Sequence, residues 1–289
     1  MSISRRTLLG FAASALAGPG IAAAPSRLAV IDWALLETCL AMGVVPAAAS
    51  ELRQYRQIVR EPAAPSTVAD LGLRGTTNFE MLRLVAPELI VISQFYEYQR
   101  PMLERVAPVL SLPSYEAGRP PYALLADSTR RLGEVLGIRD AADDLIAEAG
   151  RDLANARRLV SGHAARPVFV ISLGDSRHFR AFGADSMFGD VLARLDLRNA
   201  WIDPTSYSAA APVGIEALAR VPDAGIVVIE PLPPEVGREL PRNALWNALP
   251  AARDGRVAIL PPINHFGGLP SARRFAGLIS AALQNWPAA

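Results

Sequence analysis

The chain has 289 residues, 51% of them hydrophobic and 20% charged, with a formal net charge of +1. That length suits two domains of moderate size, and that composition supports a large buried core and argues against disorder. The near-zero net charge argues against a nucleic-acid partner, which needs a broad basic face.

The first 24 residues read as a targeting segment. The pair Arg5-Arg6 precedes an apolar run from Leu8 to Leu16, too short to span a bilayer, and then small residues. "SRRTLLG" resembles the twin-arginine export signal, with cleavage expected near Ala22 to Ala24. No lipobox cysteine accompanies it, so the mature protein is expected in the periplasm without a lipid anchor.

From Arg27 the chain alternates strands and helices. "RLAVID" (27–32) predicts a strand, "ALLETCLAMG" (34–43) a helix, "NFEMLRLVA" (78–86) a helix and "PELIVIS" (87–93) a buried strand. Thr77 or Asn78 can cap the helix at 78–86, with Glu80 returning a bond to the free amides. A short helix from Met102 to Val106 leads into a strand at 107–113. Residues 141–162 form a long alanine-rich helical pattern, acidic at its start (Asp140, Asp143, Asp144) and basic at its end (Arg157, Arg158). A second strand set follows: 166–172, a helix at 186–197, helix then strand across 214–230, a strand at 255–262 and a final helix at 271–286. "NFEMLRLVAPELIVIS" and "GIEALARVPDAGIVVIE" share a glutamate, a leucine, a proline and a β-branched run in matching order. The predicted fold class is therefore α/β: two similar lobes with mostly parallel sheets, joined by one long helix, with a ligand cleft between them. The boundaries are 25–138 for the first lobe, 139–163 for the connecting helix and 164–289 for the second lobe.

Enzyme motifs are scarce. The chain carries no G-x-S-x-G, P-loop, G-x-G-x-x-G or H-E-x-x-H pattern. "GDSRH" (174–178) offers Ser176 and His178, with His265 as a late second histidine, but no D-x-x-H follows to supply an acid-supported base. A hydrolase built on them is the rival of a different class. Three histidines (His163, His178, His265) and one cysteine are too few and too scattered for a protein-built metal site, and Cys39 in "LLETCLAMG" reads as a buried thiol. Arg74, in "DLGLRGTTNFE" (70–80), stands before a helix start with no carboxylate closer in sequence than Asp70 and Glu80. A guanidinium beside free helix amides favours an oxygen-rich or anionic group, which is either a ligand or a carboxylate of the chain, Asp70 or an acid not visible from the sequence. Phe95, Tyr96 and Tyr98 follow the strand at 87–93, and the carboxyl end of a parallel strand faces the ligand crevice.

These pieces, together with "MGVVP" (42–46), "YRQIVREP" (55–62), "MLERVAP" (102–108), "SRHFRAFGADSMFGDVL" (176–192), "RNAW" (198–201) and "LWNALPAARDGRV" (245–257), make the chain similar to the periplasmic ferric hydroxamate-binding proteins of siderophore ABC importers. This is a helical-backbone (class III) family of two α/β lobes joined by one rigid helix. The resemblance implies that Arg74 and Tyr96 contact hydroxamate oxygens, and that iron is held by the siderophore, not by the protein. It implies no cofactor, and as partners a ferric siderophore and an inner-membrane permease with its cytoplasmic ATPase, the protein itself being a monomer. Cleft tryptophans of the family are replaced by Ile58, by Ser208 beside Tyr207, and by Asn264 beside His265 and Phe266, which leaves the second-lobe wall more polar. Glu216 fits the family's second-lobe docking acid for the permease; its first-lobe counterpart falls at Pro101, with Glu104 a turn away. The same fold binding another iron chelate, haem or cobalamin is the nearest alternative, and a degenerate lobe serving assembly or sensing is a third.

Overall fold

The computed structural model describes residues 25–203, 205 and 212–287, so residues 1–24, read above as a targeting segment, and Tyr207 and Ser208 lie outside the described residues. The first sheet is built from β1 (Leu28–Val30), β2 (Ala48–Ala49), β3 (Ala69–Asp70), β4 (Leu89–Ile92) and β5 (Val109–Ser111), in the order β3-β2-β1-β4-β5. Every pair in it is parallel. Helices cover both faces, which is why β1 and β4 read as unbroken apolar runs with no alternation.

The second sheet contains β6 (Val168–Leu173), β7 (His178–Ala181), β8 (Val213–Gly214), β9 (Gly225–Ile229) and β10 (Val257–Leu260), in the order β10-β9-β6-β7-β8. Its parallel core β6-β9-β10 has the same neighbour order as β1-β4-β5. That places the two similar sequence segments, which end in β4 and β9, at equivalent positions. Two differences from the sequence reading stand out. β7 runs antiparallel to both β6 and β8, because only the short turn at 174–177 separates β6 from β7, too few residues for a parallel crossover. The segment expected to be an α-helix before β9 is a 3₁₀ helix, Ile215–Arg220.

The long helix runs from Arg139 to Leu159, followed by a short turn at Ser161–His163. It serves two cores at once. Ala142 and Leu145 pack into the first lobe, whereas Ala149, Leu153 and Ala156 pack into the second. A helix over Pro121–Val135, which the sequence reading did not predict, runs beside it and splits the same way: Leu132 joins the first core, and Tyr122, Leu125 and Ala126 join the second. Where these two helices meet, a Cβ on Gly133 would stand 2.5 Å from the Cβ of Ala142. Gly133→Val therefore forces the pair apart and is expected to cost about 1–3 kcal/mol, read as a lower midpoint in urea unfolding; an unchanged midpoint would contradict this packing. Among the described residues no helix is long and apolar enough to cross a membrane.

The lobes also meet directly. Glu37, fully buried on the helix Trp33–Ala41 of the first lobe, accepts hydrogen bonds from Asn264 Nδ2 (2.6 Å), Gly268 N (3.2 Å) and Ser271 Oγ (2.7 Å) of the second. Gly268 and Ser271 begin the final helix, Leu269–Leu283. One lobe thus supplies the N-terminal cap of a helix in the other, satisfying amides that would otherwise lack partners. Gly268 packs so closely that a Cβ there would lie 2.9 Å from the carbonyl oxygen of Ala34.

Candidate functional site

A cavity of about 490 Å³ opens between the lobes, lined by Asp32, Trp33, Ala34, Glu51, Arg74, Gly75, Phe95, Tyr96, Tyr115 and Phe266. Every lining residue follows the carboxyl end of a strand. Asp32 to Ala34 follow β1, Glu51 follows β2, Arg74 and Gly75 follow β3, Phe95 and Tyr96 follow β4, Tyr115 follows β5, and Phe266 follows β10. Parallel strands end together at one edge of the sheet, so the loops leaving them converge there.

Arg74 has an acidic partner after all, one 23 residues away in sequence: its Nε lies 2.5 Å from Glu51 Oε2. β2 and β3 pair with Ala49 opposite Asp70, which sets the loops carrying Glu51 and Arg74 side by side. Glu51 adopts a left-handed backbone (φ 50°), an uncommon state for a residue with a side chain. Its amide is tied to the Gly72 carbonyl at 2.8 Å, which helps hold it there. Asp70, the nearer acid in sequence, is committed elsewhere: its oxygens accept from the amides of Leu52 (3.1 Å) and Gly72 (3.0 Å).

The Arg74 guanidinium also lies over the Trp33 ring, 3.8 Å from the ring centroid. Its carbonyl accepts from Gln99 Nε2 at 2.8 Å, and Gln99 in turn accepts from buried Thr77 at 2.8 Å. Asn78 is the helix cap, accepting from Met81 N at 3.0 Å, so Thr77 is left for Gln99. Stacking plus one carboxylate on Nε fixes the guanidinium plane. The two terminal nitrogens of Arg74 carry no protein partner among the described residues. The same holds for the Tyr96 hydroxyl on the opposite loop. Burial first, then the nearby Asp32 carboxylate, push the Tyr96 phenol upward, so it stays a protonated donor. Asp32 is itself committed to the protein, with Oδ1 accepting from Ala34 N (2.7 Å) and Leu35 N (3.2 Å) and Oδ2 from Ser93 Oγ (2.7 Å).

The other predicted residues divide. Phe95 and Phe266 line the cavity. Tyr98 is exposed and holds the rim, donating to the Gly75 carbonyl at 3.0 Å. Ile58 is not a cleft residue: it sits at the far end of the helix Leu52–Ile58 and packs on the first lobe's core. Asn264 is corrected to a structural role, because its amide is spent on Glu37. His265 packs its ring against Phe182 (4.8 Å) and Phe188 (5.9 Å) behind Phe266. Burial, then the charge of Arg180, push its pKa down to about 4, so it is neutral at ordinary pH. Tyr207 and Ser208 fall outside the described residues.

Sequence reasoning missed Trp33, Glu51, Asp32 and Tyr115. The rule that found Tyr96, looking just past a strand's carboxyl end, also finds Trp33 when applied to β1. Glu51 needed the register of β2 and β3, strands of two residues each that leave little periodic trace. Ser176 donates to Glu239 at 2.7 Å while His178 pairs with Asp175 at 2.9 Å, so the two residues of the hydrolase reading have separate partners. Cys39 is buried, and burial pushes its thiol up to about 12. Glu216 and Glu104 are both exposed, and Glu104 is bonded to Arg100 at 3.0 Å.

A match to the periplasmic binding protein family spans residues 28–263. The chain belongs to that family. Among relatives, the Escherichia coli K12 iron(3+)-hydroxamate-binding protein FhuD is 30% identical over 259 residues, covering 90% of this chain and 87% of that one. The Vibrio cholerae siderophore-binding protein FhuD, solved with Fe3+-Desferal bound, superposes with a TM-score of 0.84 at 25% identity, covering 90% of this chain and 98% of that one. The catecholate-siderophore-binding protein VctP of Vibrio cholerae shares the fold, with a TM-score of 0.69, 19% identity and coverage of 91% and 94%. Members of the periplasmic binding protein family capture solutes; this one presents its cleft at the converging strand ends of both lobes.

Proposed function

We propose that the protein is the periplasmic receptor of an ABC importer and captures a ferric siderophore of the hydroxamate type by binding, without turnover. The observation that carries this reading is a pair of unspent donors in one aromatic-walled cavity: the terminal nitrogens of Arg74, held in plane by Glu51 and Trp33, and the Tyr96 hydroxyl. Hydroxamate oxygens bound to iron carry partial negative charge and accept such bonds, while Trp33, Phe95 and Phe266 cover the organic part. Iron's coordination sphere is filled by the siderophore, so the protein needs to supply no metal ligand. Arg74 is the single cation among the lining residues, which suits a weakly charged hydroxamate core better than a highly anionic catecholate. The likeness to the two FhuD proteins, described respectively as hydroxamate-binding and as bound to Fe3+-Desferal, supports the same class.

Exposed Glu216, with Glu104 on the other lobe, would meet basic residues of the permease, and the leader would deliver the chain to the periplasm through the twin-arginine route. The helices that belong to both cores resist wide hinge motion, so loading moves the lobes little. The test is titration of the mature protein with ferric desferrioxamine B. Trp33 lines the cavity, so saturable quenching of tryptophan fluorescence is expected, with Kd on the order of 1 µM or tighter. Neither quenching nor heat with this and other ferric hydroxamates would end the proposal.

A further inference from the structure

The second lobe brings another cation to the cleft end of its sheet. Along β7, Phe179 and Ala181 are buried in the second lobe's outer core, whereas His178 and Arg180 are exposed. β7 is antiparallel to β6, with Arg180 opposite Ser172 near the carboxyl end of β6. Its first residues therefore lie at the edge from which the loop bearing His265 and Phe266 leaves β10. Residues two apart on a strand share a face. Phe182, just past β7, continues the ladder by donating its amide to the Val170 carbonyl at 3.0 Å, so Arg180 projects to the side of Phe182, whose ring contacts His265 at 4.8 Å. Phe266, the next residue, is the second-lobe wall of the cavity. Arg180 makes no hydrogen bond or ion pair among the described residues, and its charge is felt at His265.

The charge balance of the cleft makes this arginine informative. On the first-lobe wall Arg74 is matched by Glu51, and Asp32 stands behind them, so that wall carries no net positive charge. In a ferric trihydroxamate, three hydroxamate anions cancel the iron charge, and such a neutral core is already served by Arg74 and Tyr96. A second guanidinium has no counter-charge from that core. A pendant carboxylate would supply one.

We propose that Arg180 is the second-lobe contact for a carboxylate on the ligand, so that the site favours a hydroxamate siderophore bearing one pendant carboxylate, an anionic chelate, over a neutral one. This rests on the function proposed above and names its substrate class. The probes are two ferric complexes of desferrioxamine B, one with its terminal amine acetylated (neutral) and one with it succinylated (anionic). They share one chelating core. Wild-type protein is expected to bind the succinylated complex about fivefold more tightly, the worth of one solvent-exposed ion pair, with the gap closing at high salt. Arg180→Leu brings the ratio near one, and Arg180→Glu inverts it. Because Arg180 is exposed, both variants should keep the wild-type circular dichroism. Equal binding of the two complexes by the wild type, or a preference that survives both substitutions, overturns the assignment of Arg180 alone. If neither complex binds the wild type, the assignment of Arg180 falls; if unmodified ferric desferrioxamine B and other ferric hydroxamates also fail to bind, the siderophore reading falls with it.

Discussion

Arg74→Ala abolishes measurable capture of a ferric hydroxamate or weakens it at least about a hundredfold, because two charge-assisted bonds at roughly 1.5–3 kcal/mol each leave with the guanidinium. The loss exceeds simple removal of donors. Glu51, bonded to Arg74 at 2.5 Å, stays behind at the cavity wall as an unmatched carboxylate facing ligand oxygens. Arg74→Lys should lose nearly as much, since an ammonium cannot stack on Trp33, hold Glu51 through one nitrogen and offer two more as a planar fork. The fold should survive both changes, because the Arg74–Glu51 pair is partly solvent-exposed and lies outside both cores. Calorimetry on the two variants decides the matter; affinity within threefold of wild type would remove Arg74 from the site.

The largest expected stability effect lies at Glu37. Glu37→Ala strands Asn264 Nδ2, Gly268 N and Ser271 Oγ at a buried contact between the lobes. Such a loss is worth about 3–5 kcal/mol and should appear as a lower denaturation midpoint. It should also weaken ligand binding, since Trp33 and Ala34 on the same helix line the cavity. The pH dependence has a definite sign. Burial pushes the Glu37 carboxyl from its usual 4.5 up to about 7, against the pull of the donors around it. Between those values the native state holds a proton that the unfolded chain has released. Stability from this group therefore falls as pH rises from about 4.5 to about 7, by roughly 3 kcal/mol, and is level above that. His265 works in the opposite direction: its pKa is depressed from 6.5 to about 4, so its contribution is lost as pH falls through that interval. The two slopes oppose each other in the wild type. The difference in urea stability between wild type and Glu37→Gln, followed from pH 4.5 to 8, isolates the first, and a flat difference would refute the assignment of the raised carboxyl to Glu37.

Much of the architecture was legible because it is locally encoded. The β-branched runs that became β4 and β9, and the alanine-rich pattern that became the helix Arg139–Leu159, carry their periodicity within one stretch of chain. The helix Pro121–Val135 was missed although it is amphipathic, its start masked by three neighbouring prolines and glycines in "GRPP". The short strands β2 and β3 left no periodic signal either, being two residues long and formed by pairing in turn, β2 on the edge of β1 and β3 on the edge of β2.

At the site, the chemistry on offer is written in the chain itself: a guanidinium between glycines, a phenol just past a buried strand, and no residue pattern of a catalytic centre. What that chemistry is worth depends on how the chain folds. Parallel pairing of β2 with β3 sets Glu51 beside Arg74 and leaves Asp70 to backbone amides. Close contact between the lobes takes Asn264 out of the cleft to hold Glu37. Both cases have one cause: a side chain's type is local, but which of its hydrogen bonds are already spent depends on partners distant in sequence and brought near by sheet register and lobe contact.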